Sequence, residues 1–114
     1  MNGASTTNFG GATDDPVLKS YRASIDEAFG NDVERVVLFG SRARGEAGDD
    51  SDYDVAVFLK SLPDRWAALD RLARLRVQFL GDTGAFFDTK PYVASAYSER
   101  TPLMREIRRE GLDL

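Results

Sequence analysis

Residues 33–59 read VERVVLFGSRARGEAGDDSDYDVAVFL, and this stretch decides the fold. The apolar run 36–39 ends abruptly at Gly40-Ser41, a polar segment follows, and a second apolar run covers 55–59. Both runs have the length, the β-branched content and the flanking turn residues of strands. We therefore predict two strands, with Gly40-Ser41 at the turn where the first strand leads into a short helix.

Two carboxylates stand at the start of the second strand. Residues two apart on a strand point to the same face, so Asp52 and Asp54 should project side by side, about 7 Å apart along the backbone. Such a pair repels itself and needs a counter-charge, and oxygen ligands of this kind suit Mg²⁺ or Mn²⁺. Free backbone N–H groups at Gly40-Ser41 would favour a phosphate. Together the two features indicate a site for a metal–nucleotide.

The spacing of these residues resembles a known signature. Gly40-Ser41 followed by Asp52-x-Asp54 resembles the DNA polymerase β-like nucleotidyltransferase superfamily. The fuller pattern, GSRARG at 40–45 with SDYD at 51–54, resembles the minimal nucleotidyltransferases. These include the antitoxins of HEPN/MNT toxin–antitoxin pairs and are related to the aminoglycoside nucleotidyltransferases. The resemblance covers most of the chain from about Pro16 onward.

A third acid completes the predicted site. Ala85 to Thr89 reads as a third strand, and its Asp88 would be costly to bury among aromatic residues without a partner. A place beside Asp52 and Asp54 on a neighbouring strand resolves that cost and matches where the superfamily carries its third catalytic aspartate. The alternative is an edge-strand aspartate that faces solvent. The resemblance implies that these three aspartates are catalytic and bind two Mg²⁺ ions, with Mn²⁺ as a substitute, and that ATP is the co-substrate.

The predicted nucleotide-binding residues are Gly40, Ser41, Arg42 and Arg44. Ser41 would offer its hydroxyl and its N–H to the terminal phosphates, and we assign Arg42 to the triphosphate. Arg44 has two candidate roles, because arginine can clamp a phosphate or hold a carboxylate in a bidentate pair.

The residues alone do not identify the acceptor of the nucleotide. By analogy with chains of this size and motif, the leading hypothesis is that an antitoxin adenylylates a tyrosine of a HEPN ribonuclease toxin, with which it could form a hetero-oligomer. Transfer to a small-molecule hydroxyl, as in the aminoglycoside enzymes, is the runner-up. A non-catalytic antitoxin that neutralises a toxin by contact is the third reading.

The amino-acid composition excludes several kinds of catalytic and metal site. The 114 residues contain no cysteine and no histidine, which excludes disulfides, thiolate or histidine metal ligands and a histidine base. Acid–base work falls to carboxylates, lysine or tyrosine. The formal charge of −4 argues against a general nucleic-acid-binding surface. No membrane span or signal-peptide core is visible in the sequence, so we expect a cytoplasmic protein.

The resemblance implies one α/β domain over residues 15–114, a small mixed sheet with helices packed largely on one face. Residues 1–14 are small and polar and should form a disordered tail, and residues 45–50 should form a flexible acidic connector. A first helix should begin at Asp15-Pro16 and end at Gly30. Its apolar positions are Leu18, Tyr21, Ile25 and Phe29.

Two further helices follow from capping signals. Ser61 to Asp64 resembles a capping box, and the helix that it opens should run to about Leu80. Its apolar stripe consists of Trp66, Leu69, Ala73, Val77 and Leu80. Residues 91–96 should stay extended. The last helix should begin at Thr101-Pro102 and end at Gly111, with Leu103 and Ile107 as its apolar residues.

Overall fold

The computed structural model describes residues 15–46 and 52–114. The expected tail, and residues 47–50 of the expected connector, lie outside the described residues. The helices and strands, in chain order, are α1 (Pro16–Phe29), β1 (Val33–Phe39), α2 (Ser41–Arg44), β2 (Tyr53–Leu59), α3 (Arg65–Thr83), β3 (Phe87–Val93), α4 (Pro102–Glu110) and β4 (Leu112–Asp113). Short 3₁₀ turns precede β1 and follow β3.

The strands form one mixed sheet in the order β3-β2-β1-β4. β1 pairs antiparallel with both β2 and β4, whereas β2 and β3 run parallel. A parallel pair needs a long crossover connection, and α3 supplies it. The predicted mixed sheet is therefore confirmed. The two-residue strand β4 was not predicted, since so short a strand leaves no alternation to read.

The sheet separates two apolar clusters. The larger cluster lies between the sheet and helices α1 and α3, and the smaller one lies between the opposite face and α4. Along β2, Tyr53, Val55 and Val57 face the first cluster while Ala56 and Phe58 face the second. The two long helices share one face, as expected, and the short helix α4 covers part of the other.

Helix α1 has the predicted limits. The Asp15 carboxylate accepts a hydrogen bond from the Val17 N–H at 2.8 Å and caps the helix, and Gly30 ends it with a φ of 58°. Tyr21 faces the core, as predicted, with its ring stacked on Phe87. Leu18 and Ile25 are buried on the same side of the helix.

Helix α3 begins later than the capping box predicted. Asp64 is the N-cap, because its carboxylate accepts from the Ala67 N–H at 3.1 Å. The Ser61 hydroxyl instead donates to the Asp32 carboxylate at 3.3 Å. The helix also runs past Leu80 to Thr83, and Gly84 ends it.

The residues of the predicted apolar stripe of α3 do not face the core. The helix buries Ala68, Leu72 and Phe79, whereas Trp66 is 80% exposed and Val77 is 68% exposed. Apolar residues at helical spacing occupy two faces of this helix. The face that carries Phe79 packs inward because its ring meets the Tyr21 and Phe87 rings edge-on.

The C-terminal third differs in detail from the prediction. The third strand runs from Phe87 to Val93 rather than from Ala85 to Thr89. Residues 91–93 are thus extended, as predicted, whereas a 3₁₀ turn at residues 94–98 replaces the rest of the expected extended segment. The last helix begins and ends as predicted, with Thr101 as its N-cap. Met104 and Ile107 are buried, whereas Leu103 is 38% exposed and does not belong to the core.

None of the helices within residues 15–46 and 52–114 is long and apolar enough to cross a bilayer.

Candidate active site

The parallel pairing of β2 with β3 places two aspartates side by side. In the register of these strands Asp54 lies opposite Asp88, and Asp52 immediately precedes β2. Because side chains alternate along a strand, Asp54 shares its face with Phe58, and Asp88 shares its face with Tyr92. Both therefore lie on the α4 face, at the end of the sheet where β2 begins. The structure brings the predicted third strand acid next to the first pair.

Gly40 forms the floor beneath the Asp54 carboxylate. Its φ of 75° and ψ of −159° lie in a region that only glycine adopts readily. A Cβ at this position would stand 2.5 Å from Asp54 Oδ2. The turn lies next to this acid because Phe39, the residue before Gly40, pairs with Asp54 across β1 and β2. Glycine is therefore required both by the backbone conformation and by the carboxylate that packs against it.

The acids repel one another. Partial burial raises the pKa of Asp54 above its usual value, and the negative charges of Asp88, Asp52 and, more weakly, Glu106 raise it further. The Lys90 ammonium opposes this rise. Clustered carboxylates should disfavour full ionisation, and the expected rise of at least one pKa is found at Asp54.

The donor set is suited to a hard cation. The Lys90 ammonium lies 3.2 Å from Asp88 Oδ1 and serves as the local counter-charge. Within residues 15–46 and 52–114, however, no three acidic side chains converge closely enough to hold one ion together. The oxygen-only chemistry thus fits Mg²⁺ or Mn²⁺, and the backbone places the three carboxylates near one another without joining them into a ligand set.

The turn after β1 connects to the core through Arg42. Its guanidinium lies 4.0 Å from the centroid of the Tyr53 ring, a cation–π distance. The Tyr53 hydroxyl donates in turn to the Asp15 carboxylate at 3.0 Å. Tyr53 points away from the aspartate pair and supports Arg42 from the opposite face of the sheet. Ser41 begins α2 directly after Gly40, and the phosphate contacts of Ser41 and Arg42 stay predictions.

Arg44 is engaged with carboxylates. Its Nε donates to Glu46 at 2.9 Å and its Nη1 donates to Glu110 at 3.1 Å. These contacts lower the pKa of Glu110 and raise that of Arg44. Of its two candidate roles, the structural one is favoured, since the arginine joins α2 to the end of α4. A phosphate contact by Arg44 would require these pairs to open.

Two charged residues near the aspartates were not assigned from the sequence. Lys90 pairs with Asp88, its ammonium donating to the carboxylate. Glu106 carries no recognisable motif and reaches the neighbourhood of Asp54 only because α4 folds back over the sheet. The position of Lys90 could have been predicted from the sequence. It lies two residues after Asp88 on the same strand, so the two side chains share a face.

Comparison with known proteins gives the family. A family model described as the nucleotidyltransferase domain matches residues 18–109, which is most of the chain and includes every predicted site residue. The chain belongs to this family.

Among curated relatives, two proteins of Methanocaldococcus jannaschii carry the name "putative protein adenylyltransferase". One is 36% identical over 47 residues and the other 40% identical over 60 residues. The matches cover 41% and 53% of this chain, and 48% and 40% of those two proteins. The matched region thus spans at most about half the length of these relatives.

Two solved structures share the fold of this chain. A structure described as a "putative minimal nucleotidyltransferase" superposes with a TM-score of 0.57 at 28% identity, covering 84% of this chain and 90% of that one. A toxin–antitoxin structure with AMP-PNP superposes with a TM-score of 0.60 at 18% identity, covering 83% and 70%. The second likeness is one of fold alone.

Proposed function

We propose that this nucleotidyltransferase domain transfers AMP from ATP to a tyrosine hydroxyl of a partner HEPN ribonuclease toxin, and that it acts as the antitoxin. The observation that carries the reaction class is the alignment of Asp54 with Asp88 across two parallel strands, directly beside Gly40. The names of the curated relatives support a protein acceptor. A structural neighbour that is a toxin–antitoxin with a bound ATP analogue supports the biological setting.

In the proposed reaction the acceptor oxygen forms a bond to the α-phosphorus of ATP. The bond between that phosphorus and the bridging oxygen breaks, and pyrophosphate leaves. The proton of the acceptor hydroxyl passes to the Asp88 carboxylate. Asp52, Asp54 and Asp88 would hold Mg²⁺, which would lower the pKa of the acceptor hydroxyl and neutralise the charge of the leaving pyrophosphate. The chain itself contributes positioning and a fixed electrostatic field.

The Asp88–Lys90 pair has a defined place in this scheme. The Lys90 ammonium neutralises the Asp88 carboxylate, with 3.2 Å between Nζ and Oδ1. Lys90 would have to release this carboxylate for Asp88 to serve as a metal ligand and to accept the proton of the acceptor hydroxyl. Gly40 lets the Asp54 carboxylate lie against the backbone, and the adjoining Ser41 would meet the terminal phosphates.

The experiment is intact-mass spectrometry of the toxin after incubation with the protein, ATP and Mg²⁺. Wild-type protein should add one AMP to a toxin tyrosine. The double variant Asp52→Ala, Asp54→Ala should add none and stay folded, because the loss of like charges relieves repulsion. Asp26→Asn is the matched control, since it removes an exposed carboxylate of α1 that pairs with Arg22 and leaves the strands intact.

Two outcomes would replace the proposal. If wild-type protein adds no nucleotide while the double variant still neutralises the toxin, the protein is a contact-only antitoxin. If nucleotide reaches a small-molecule hydroxyl and never a protein, the acceptor class is that of the aminoglycoside enzymes.

A further inference from the structure

Helix α3 presents a row of apolar side chains to solvent. Trp66, Val77 and Leu80 are 80%, 68% and 46% exposed, and the half-buried Leu69 and Ala73 lie between them on the same helical face. We call these five residues the α3 stripe. They recur every three or four positions, which is the spacing of a helix–helix contact. A contiguous exposed apolar patch of this kind marks an interaction site.

The charges beside the α3 stripe indicate which kind of partner would cover it. Asp70 and Arg74 stand four residues apart on one flank of α3 and form an exposed pair at 2.9 Å. A two-fold axis that passes midway between them brings the same flank of two antiparallel helices together. In that arrangement Asp70 of each copy faces Arg74 of the other. An isologous contact requires this reciprocity.

The apolar residues obey the same symmetry. The axis passes close to Ala73, the smallest side chain of the stripe, where two helix backbones can approach closely. It places Trp66 of each copy over Val77 and Leu80 of the other copy. The large indole then meets the branched side chains, and the small alanine lies at the centre of the contact.

We propose that the α3 stripe is a self-association surface through which two copies of this chain form an antiparallel dimer. The proposal does not use the aspartate site or the proposed acceptor, and it stands if the proposed function fails. A helix of this length is about 28 Å long and about 10 Å wide, so the contact falls below the usual area of about 800 Å² per partner. The dimer is therefore weak and dissociates on dilution.

Tryptophan emission tests the contact, because Trp66 is the only tryptophan in the chain. Emission and sedimentation should be followed over the same dilution series of the full-length protein. The emission should move to shorter wavelength with rising concentration, in parallel with a doubling of mass. Val77→Glu should abolish both changes, since Val77 is exposed in the single copy and its replacement leaves the core intact.

Charge variants test the orientation. Asp70→Arg makes the flank wholly positive and Arg74→Asp makes it wholly negative, so each should weaken self-association by about tenfold or more, which is about 1.4 kcal/mol. An equimolar mixture of the two single variants should associate more tightly than either alone, and the double swap should restore wild-type association. Asp26→Arg is the control, because it breaks the equivalent pair with Arg22 on α1 away from the stripe.

Three results would overturn the proposal. One is a single-copy mass at every concentration with unchanged emission. Another is short-wavelength emission at every concentration in a single-copy protein, which would mean that another segment of the same chain covers the stripe. The third is association that the charge variants leave unaltered, or that appears only with a different protein.

Discussion

The two faces of strands β2 and β3 differ in chemistry although their residues alternate along the same two strands. On the α1–α3 face, the Tyr53 and Phe87 rings stack with centroids 4.7 Å apart, and Phe87 stacks on Tyr21 at 3.7 Å. One residue further along each strand, on the α4 face, Asp54 lies opposite Asp88.

The aromatic face helps this small domain to hold like charges together on the opposite face. Because the side-chain period of a strand is two, a slip of one residue would exchange the two faces. The stacked aromatic residues resist such a slip, since it would expose their rings. The core on one face thereby maintains the register that keeps the repelling carboxylates adjacent on the other face.

The largest effect is expected from breaking the aromatic face. Phe87→Ala should lower the free energy of unfolding by about 3–5 kcal/mol, because Phe87 is fully buried between two rings. Asp88→Asn, one residue away, should change it by less than about 1 kcal/mol and yet abolish nucleotidyl transfer. Denaturant titration and a transfer assay separate the two effects. Equal destabilisation by both variants would contradict the division between the faces.

High pH should weaken the aromatic face through Tyr21. Burial raises the pKa of Tyr21 to about 12 from 10.0, so the unfolded chain loses this proton first. Between those two pH values the unfolded state binds fewer protons, and the free energy of unfolding falls as pH rises, by about 2–3 kcal/mol at the upper end. Tyr21→Phe should lose about 1 kcal/mol at neutral pH, since its hydrogen bond with Thr89 is lost.

In Tyr21→Phe the free energy of unfolding should fall less steeply with rising pH in the alkaline range than it does in wild-type protein. Denaturant titrations at several pH values compare the two slopes. An equally steep decline in Tyr21→Phe would assign the alkaline sensitivity to another group.

Gly40 and Gly45 form a matched pair for testing the acidic face. Gly40 and Gly45 both have a positive φ, but an added Cβ meets the Asp54 carboxylate only at Gly40 and meets nothing within 4 Å at Gly45. Gly40→Ala should cost about 1–3 kcal/mol and abolish transfer, whereas Gly45→Ala should cost about 1 kcal/mol and retain transfer. Loss of transfer in both folded variants would show that the Asp54 contact is not what matters.

The smallest effect concerns the repulsion itself. The raised pKa of Asp54 means that the folded state binds its proton more tightly than the unfolded state does. The penalty for ionising Asp54 is absent below the usual aspartate pKa and develops as pH rises through the raised value. Without metal, Asp54→Asn should therefore raise the melting temperature at neutral pH by roughly 1–3 °C. The gain should vanish in acid, and thermal melts across pH would reveal it.

Much of the fold was predictable because its signals are local. Asp15 and Gly30 delimit α1 through capping chemistry, and Gly40 delimits β1 through its backbone conformation. These predictions needed no knowledge of the distant parts of the chain. The adjacency of Asp88 to Asp52 and Asp54 is not local, and its prediction depended on the resemblance as well as on the cost of burial. The Asp88 side chain is 45% exposed and pairs with Lys90, so the cost of burial was not what placed it there.

The remaining features depend on packing between distant segments. Helix α3 is apolar on two faces, and Phe79 rather than Trp66 turns inward, where its ring meets those of Tyr21 and Phe87. The link from Arg44 to Glu110 joins residues that are far apart in the sequence. Glu106 likewise approaches Asp54 only in the folded chain, so no spacing rule could have identified it.

Paramagnetic broadening of amide NMR signals by Mn²⁺, in the presence of AMP-PNP, would show whether the carboxylates of β2 and β3 form one metal–nucleotide site beside the turn after β1. If they form this site, the signals of Asp52, Asp54, Asp88 and Gly40 should broaden first, and Asp54→Asn with Asp88→Asn should remove the effect. Broadening centred instead on residues 47–50, and unchanged in that double variant, would contradict this prediction.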